Sequence, residues 1–163
     1  MSILKKSIIA SAALALPLAV SANSKLEKMM KDPGQWVQQS GDYAGHRFSN
    51  LDQINKSNVG SLKVAWTFST GVLRGHEGGP LVIGDVMYVH TAIPNIVYAL
   101  DLNDNQRIMW KYNPVKGGKY PGGETMDRVI SVMCCDNVNR GVNYHPNGTI
   151  VLHAADTLSL IHI

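Results

Sequence analysis

Two segments of the chain repeat one another: Val64 to Phe68 (VAWTF) and Ile108 to Tyr112 (IMWKY) place tryptophans 44 residues apart. The sequence between them is patterned for strands. Leu62 to Phe68 alternates with a period of two, Pro80 to Val82 and Val86 to His90 flank the turn Gly84-Asp85, and Ile96 to Leu100 runs into Asn103-Asp104-Asn105 before Arg107 to Tyr112. Alternation bounded by turn residues is the pattern of half-buried strands. A weaker echo joins GDVMYVHT (Gly84 to Thr91) to NGTIVLHA (Asn147 to Ala154), 63 residues later, and an insertion between Lys116 and Asn139 accounts for the additional 19. Repeats of about 40–50 residues, each with four short strands and a signature tryptophan, mark a β-propeller. One blade cannot bury both of its faces, so it stacks on its neighbours, and each tryptophan covers a junction. The alternative is two unrelated strands that each hold a core tryptophan. The fold class expected is all-β, a partial β-propeller with about two blades present, too few to close a ring. Fifteen glycines and seven prolines agree with many turns and disfavour long helices.

The first 22 residues read as an address. Lys5 and Lys6 precede an apolar run from Ile8 to Val20, and Val20-Ser21-Ala22 offers small residues for cleavage before Asn23. That order is a secretory signal, and the run falls short of the roughly 20 residues that cross a bilayer. No cysteine follows it, so a lipid anchor is not supported. Removing the two lysines lowers the net charge from +3 to +1, too little to argue for nucleic acid or an anionic membrane. Asn23 to Lys31 suggests one or two helical turns with Leu26, Met29 and Met30 on one face, ended by Asp32-Pro33-Gly34. Gln35 to Asn50 reads as a loop interleaved with Trp36, Tyr43 and Phe48, and Leu51 to Val59 as a connector. At the other end, Leu158 to Ile163 (LSLIHI) reads like the translation of a sequencing-library adapter, with a natural strand as the alternative. The expectation is a truncated amino-terminal fragment whose native sequence ends near Thr157.

The chemistry concentrates at Cys134-Cys135, the only two cysteines. A secreted chain meets an oxidising compartment, where they can bond to each other, pair between chains or stay free. A bond between neighbours is strained, because adjacent Cα atoms lie about 3.8 Å apart and ordinary disulfides want about 4.4–6.8 Å. Such a bond constrains almost no loop, which leaves an incidental pair or a rigid platform against a flat ligand. In the same run, Arg140 offers a planar fork suited to a carboxylate or a quinone oxygen, or else pairs with Asp136 at the surface. Arg74 to Pro80 (RGHEGGP) sets His76 and Glu77 in a glycine-rich turn, which can bring backbone close to a ligand or be no more than a turn. His46, His76, His90, His145 and His153 are scattered without metal-site spacing, and each reads as structural.

AWTFSTGVLRGHEGGPLVIGDVMYVHT (Ala65 to Thr91), NIVYALDL (Asn95 to Leu102) and VMCCDNVNRG (Val132 to Gly141) resemble the amino-terminal part of the quinoprotein alcohol dehydrogenases. These are the periplasmic methanol dehydrogenase large subunits that use pyrroloquinoline quinone (PQQ), and the similarity spans nearly all of Asn23 to Thr157. The resemblance implies an eight-bladed propeller with tryptophan-motif blades. It implies that Cys134 and Cys135 form a disulfide stacked on one face of PQQ, that Arg140 contacts the cofactor, and that Glu77 lies in its pocket. There Glu77 either accepts from an N–H of PQQ or pairs with an arginine. LHAADT (Leu152 to Thr157) and VMCCD lean toward a lanthanide ion as the metal, with Ca2+ as the alternative. The implied reaction oxidises a primary alcohol, methanol foremost, to an aldehyde by hydride transfer to PQQ, with electrons passed to a soluble cytochrome c. The catalytic base and the metal ligands belong to parts of the family beyond this chain, so the 163-residue chain alone is expected to be inactive. A homodimer or heterotetramer is implied, and no nucleic acid. A non-catalytic propeller scaffold of the same repeat family is the competing class, and it predicts neither the cysteine pair nor the arginine. The organisation expected is a signal peptide over 1–22, an N-terminal segment packing on the propeller over 23–60, the first blades with a cofactor-wall insertion over 61–157, and a non-native tail over 158–163.

Overall fold

The computed structural model describes residues 23–114, 138–154 and 158–162. Its framework is two antiparallel sheets. The first is a four-stranded meander of β1 (Leu81–Ile83), β2 (Val86–His90), β3 (Val97–Asp101) and β4 (Arg107–Tyr112), in that spatial order. The second carries β5 (Val142–His145), β6 (Thr149–His153) and β7 (Leu158–His162) in the order β5-β6-β7. The turns sit where the sequence placed them. Gly84 takes φ +57 between β1 and β2, and Asp101 Oδ1 accepts from Asn103 N at 3.0 Å between β3 and β4. The echo between residues 84–91 and 147–154 is structural as well. Tyr88 pairs with Leu81 and Ala99 in the first sheet, Ile150 with Tyr144 and Ile161 in the second, so each echoed strand lies second in its own sheet. Residues 158–162, read in the sequence as a foreign tail, form β7 along β6.

The core lies between the sheets. Leu81, Tyr88, Val97 and Ala99 from the first meet Val142, Ile150 and Leu152 from the second, all buried. Neither sheet could bury these side chains alone, which is the stacking expected of blades. Trp110 packs on this cluster, with its ring 5.9 Å from that of Tyr88. The opposite face of the first sheet (Ile96, Tyr98, Leu100) is covered by Phe68 and Val72 from the preceding segment. Phe68 meets Tyr98 edge-on at 5.1 Å, and the Tyr98 hydroxyl donates to Thr70 O at 2.9 Å.

One expected strand is absent. Residues 62–68 carry no ladder, Val64 is 80% exposed and Trp66 39%. Alternation makes a strand only when a partner edge lies alongside; no described strand lies beside this one, and only its end at Phe68 finds cover. The two repeated tryptophans therefore differ, Trp110 packed on the core cluster and Trp66 left 39% exposed.

The amino-terminal segment is tied to the sheets at three places. Helix α1 (Ser24–Met30) is capped by Asn23, whose Oδ1 accepts from Leu26 N at 3.3 Å. Lys25 Nζ donates to Pro146 O at 2.7 Å beside β5. Trp36 and Val82 exchange both backbone hydrogen bonds, at 2.8 and 2.9 Å, so this segment lies along the outer edge of β1. The third tie is Gln39, which reaches the loops that enter β1 and β5.

Candidate functional site

Each sheet's first strand is entered through a glycine-bearing loop. Residues 74–80 lead into β1 and residues 138–141 into β5. The two loops converge, so Glu77 and Arg140, 63 positions apart in the chain, face one another with Arg140 Nε 3.5 Å from Glu77 Oε2. Their side chains are 52% and 82% exposed, so the pair adds little to stability and both groups remain open to a ligand.

What brings the loops together is a set of side-chain amides and one buried imidazole. Gln39 clamps from outside: its Oε1 accepts from Gly79 N at 3.1 Å and its Nε2 donates to Val142 O at 3.3 Å. Gly141 adopts φ +148 against it, and a Cβ there would come within 2.5 Å of the Gln39 amide. Asn139 holds from inside. Its Nδ2 donates to Asn95 Oδ1 at 2.9 Å and to His153 O at 3.0 Å, while its Oδ1 accepts from Gly141 N at 3.0 Å. Every hydrogen-bonding capacity of that amide but one lone pair is used, which fixes the backbone on both sides of Arg140. His90, 3% exposed, sets its Nε2 3.1 Å from Asn139 O. A carbonyl can only accept, so Nε2 carries the proton. Nδ1 is then a bare acceptor, buried and without a hydrogen-bond partner among the described residues.

Burial pushes the His90 pKa below the ordinary imidazole value and the nearby His76 adds to that, against the opposing pull of the Asn139 carbonyl. A base depressed in the folded state takes up its proton more readily in the unfolded chain. Stability from this group is therefore complete above the unfolded value near 6.5 and is lost as pH falls through the folded one. The melting temperature of the intact protein should fall as pH drops below about 6.5, and less steeply in His90→Gln. Identical acid slopes for the two proteins would contradict this.

Between the loops lies a cleft of about 360 Å³ lined by Trp36, Gln39, Ser40, Arg47, Glu77, Gly79 and Arg140. Its size falls at the small end of small-molecule sites, about 300–1,000 Å³. Two guanidinium groups and one carboxylate give it a net positive lining beside an indole, suited to a flat, multiply anionic ligand. The residues present thus fit a planar polycarboxylate such as PQQ. A larger groove of about 630 Å³ between α1 and residues 41–50 exposes Tyr43 and Phe48 but holds neither Glu77 nor Arg140.

The structure thus brings together two of the four candidate residues, Glu77 and Arg140. Cys134 and Cys135 lie outside the described residues. His76 is engaged locally, with Nδ1 2.7 Å from Arg74 O and Nε2 3.2 Å from Thr70 Oγ1. Among the described residues no cluster of three or more His, Cys, Asp or Glu could hold a metal ion. Sequence reasoning missed Gln39, Arg47 and the clamping role of Asn139, and it left His90 as merely structural. Only Asn139 had a signal, its place in the VNRG run.

Comparison with known proteins follows the same lines. The model of the PQQ glucose/ethanol/alcohol dehydrogenase β-propeller domain matches residues 36–161. A lanthanide-dependent methanol dehydrogenase of Methylorubrum extorquens is 55% identical over 146 residues, covering 90% of this chain and 23% of that protein. A methanol dehydrogenase (cytochrome c) subunit 1 of Paracoccus denitrificans is 46% identical over 140 residues, covering 82% and 21%. Among solved structures, a europium-containing methanol dehydrogenase superposes with a TM-score of 0.76 at 49% identity, covering 85% of this chain and 23% of that one. The chain spans less than a quarter of the length of these relatives.

Proposed function

We propose that this chain, which belongs to the PQQ glucose/ethanol/alcohol dehydrogenase β-propeller family, supplies the first blades and one wall of the cofactor site of a periplasmic quinoprotein that oxidises primary alcohols, methanol foremost. The observation that carries this reading is the cleft itself: a guanidinium-rich pocket assembled where the entries to two stacked sheets converge, with Glu77 and Arg140 face to face. Bound PQQ supplies a two-electron acceptor, and a lanthanide ion held by residues elsewhere in the intact protein supplies a Lewis acid. This chain's own part is to bind and orient. Arg140 directs its fork at a carboxylate or quinone oxygen, and Glu77, held by Arg140, takes an N–H of the ligand. Cys134 and Cys135, joined to one another, stack on one face of the cofactor. The relatives' names support methanol as substrate, a lanthanide as metal and cytochrome c as electron acceptor. Residues 1–22 direct export, and the intact protein assembles as a homodimer or heterotetramer.

The test is to purify the intact protein free of cofactor and titrate it with PQQ, following the quinone absorbance, with La3+ or Ca2+ present. Saturable uptake, with dye-linked methanol oxidation appearing only when PQQ and La3+ are both supplied, is the expected result. A protein that takes up no PQQ is a non-catalytic propeller, and the proposal fails. Oxidation with Ca2+ alone retires the lanthanide and keeps the rest.

A further inference from the structure

We infer that His90 is a positioning residue for the cofactor: through the carbonyl of Asn139 it fixes the backbone that presents Arg140 to the cleft. The inference rests on the PQQ reading above and concerns a residue that does not line the cleft.

Three observations meet at this imidazole. Its Nε2–H donates to Asn139 O across 49 residues of sequence, the peptide link immediately before Arg140. Its ring fills the space beside Gly78, next to Glu77, so closely that a Cβ on Gly78 would lie 2.2 Å from its Cε1 and Nε2, and 2.8 Å from the Arg140 carbonyl carbon. The ring is thus wedged between the two loops that carry Glu77 and Arg140, in contact with both backbones. Its Nδ1, finally, is buried with no partner among the described residues. An apolar ring of similar size would fill the space without stranding an acceptor, so volume alone does not explain a histidine here. The Nε2–H is what a hydrocarbon cannot supply. Asn139 closes the arrangement, because its own side chain ties the same peptide to Asn95 and His153.

The test is a double-mutant cycle on PQQ affinity of the cofactor-free intact protein, with melting temperature measured alongside. His90→Phe keeps volume and removes the donor; His90→Gln keeps a donor at nearly the reach of Nε2. The expected result is a roughly tenfold weaker PQQ affinity for His90→Phe and less than threefold for His90→Gln. In an Arg140→Ala background the His90→Phe penalty should vanish, since coupled residues are not additive. The same penalty in both backgrounds, or equal losses in Phe and Gln variants, would assign His90 to the general stability of the fold and overturn the inference. No penalty at all overturns it too. Should His90→Phe fail to fold, the unmutated and Gln proteins still decide: a Gln variant that melts normally but binds PQQ tenfold worse contradicts rescue by the donor. Failure of the unmutated protein to bind PQQ is the separate result that removes the functional reading underneath.

Discussion

Gly78→Ala is expected to destabilise the intact protein by about 3 kcal/mol, the upper end of what overpacking ordinarily costs. The new methyl carbon would stand 2.2 Å from the His90 ring and 2.8 Å from the Arg140 carbonyl carbon. Neither can give way cheaply. His90 is 3% exposed and hydrogen-bonded, and Arg140 C is backbone flanked by the Asn139 ties. The neighbouring Gly79→Ala is the control: its Cβ would meet only Gln39 Oε1, at 3.5 Å, an ordinary contact. That substitution should stay within about 0.5 kcal/mol. Thermal melts of the two variants, compared with the unmutated protein, decide the matter. If both glycines tolerate alanine equally, the wedge between the loops is not as tight as drawn.

Arg140→Ala should weaken PQQ uptake by the intact protein at least a hundredfold, about 2.7 kcal/mol. A charge-assisted fork to a ligand oxygen is worth about 1.5–3 kcal/mol. Removing it also leaves Glu77 facing an anionic ligand without the cation 3.5 Å away. Arg140→Lys keeps the charge and loses the fork, so it should fall between. In the free protein the arginine is mostly exposed, and its loss should move the melting temperature little. Absorbance titration with PQQ and a melt on the same samples check both halves. A variant that binds as well as the parent would remove Arg140 from the site.

Much of the fold was legible because its signals are local. Strand-like runs at residues 81–83, 86–90, 97–101 and 107–112, with Gly84 and Asn103 in the turns, announce strands without reference to anything distant. Residues 62–68 carry the same pattern and make no strand, because a ladder is a property of two segments and only one is described. The site divides in the same way. Glu77 and Arg140 stood out through short motifs that resemble a known family. Gln39 did not, because its amide matters only once Gly79 and Val142 have come to it, and nothing around a glutamine in a polar loop says so. His90 looked like one of several scattered histidines until its burial and its bond to Asn139 were seen.

The ties that close the cleft span long stretches of chain: 49 residues from His90 to Asn139 and 103 from Gln39 to Val142. Hairpins such as β1–β2 close in about 1–10 μs, whereas contacts this remote form only after the intervening chain has been gathered. The cleft is accordingly a late product of folding, and substitutions at Gln39 or Asn139 should show φ-values near zero, sparing the folding rate and quickening unfolding. A ligand seated between the two loops then acts as a latch on the exit path. It lengthens the life of the folded protein and does nothing to hasten its arrival.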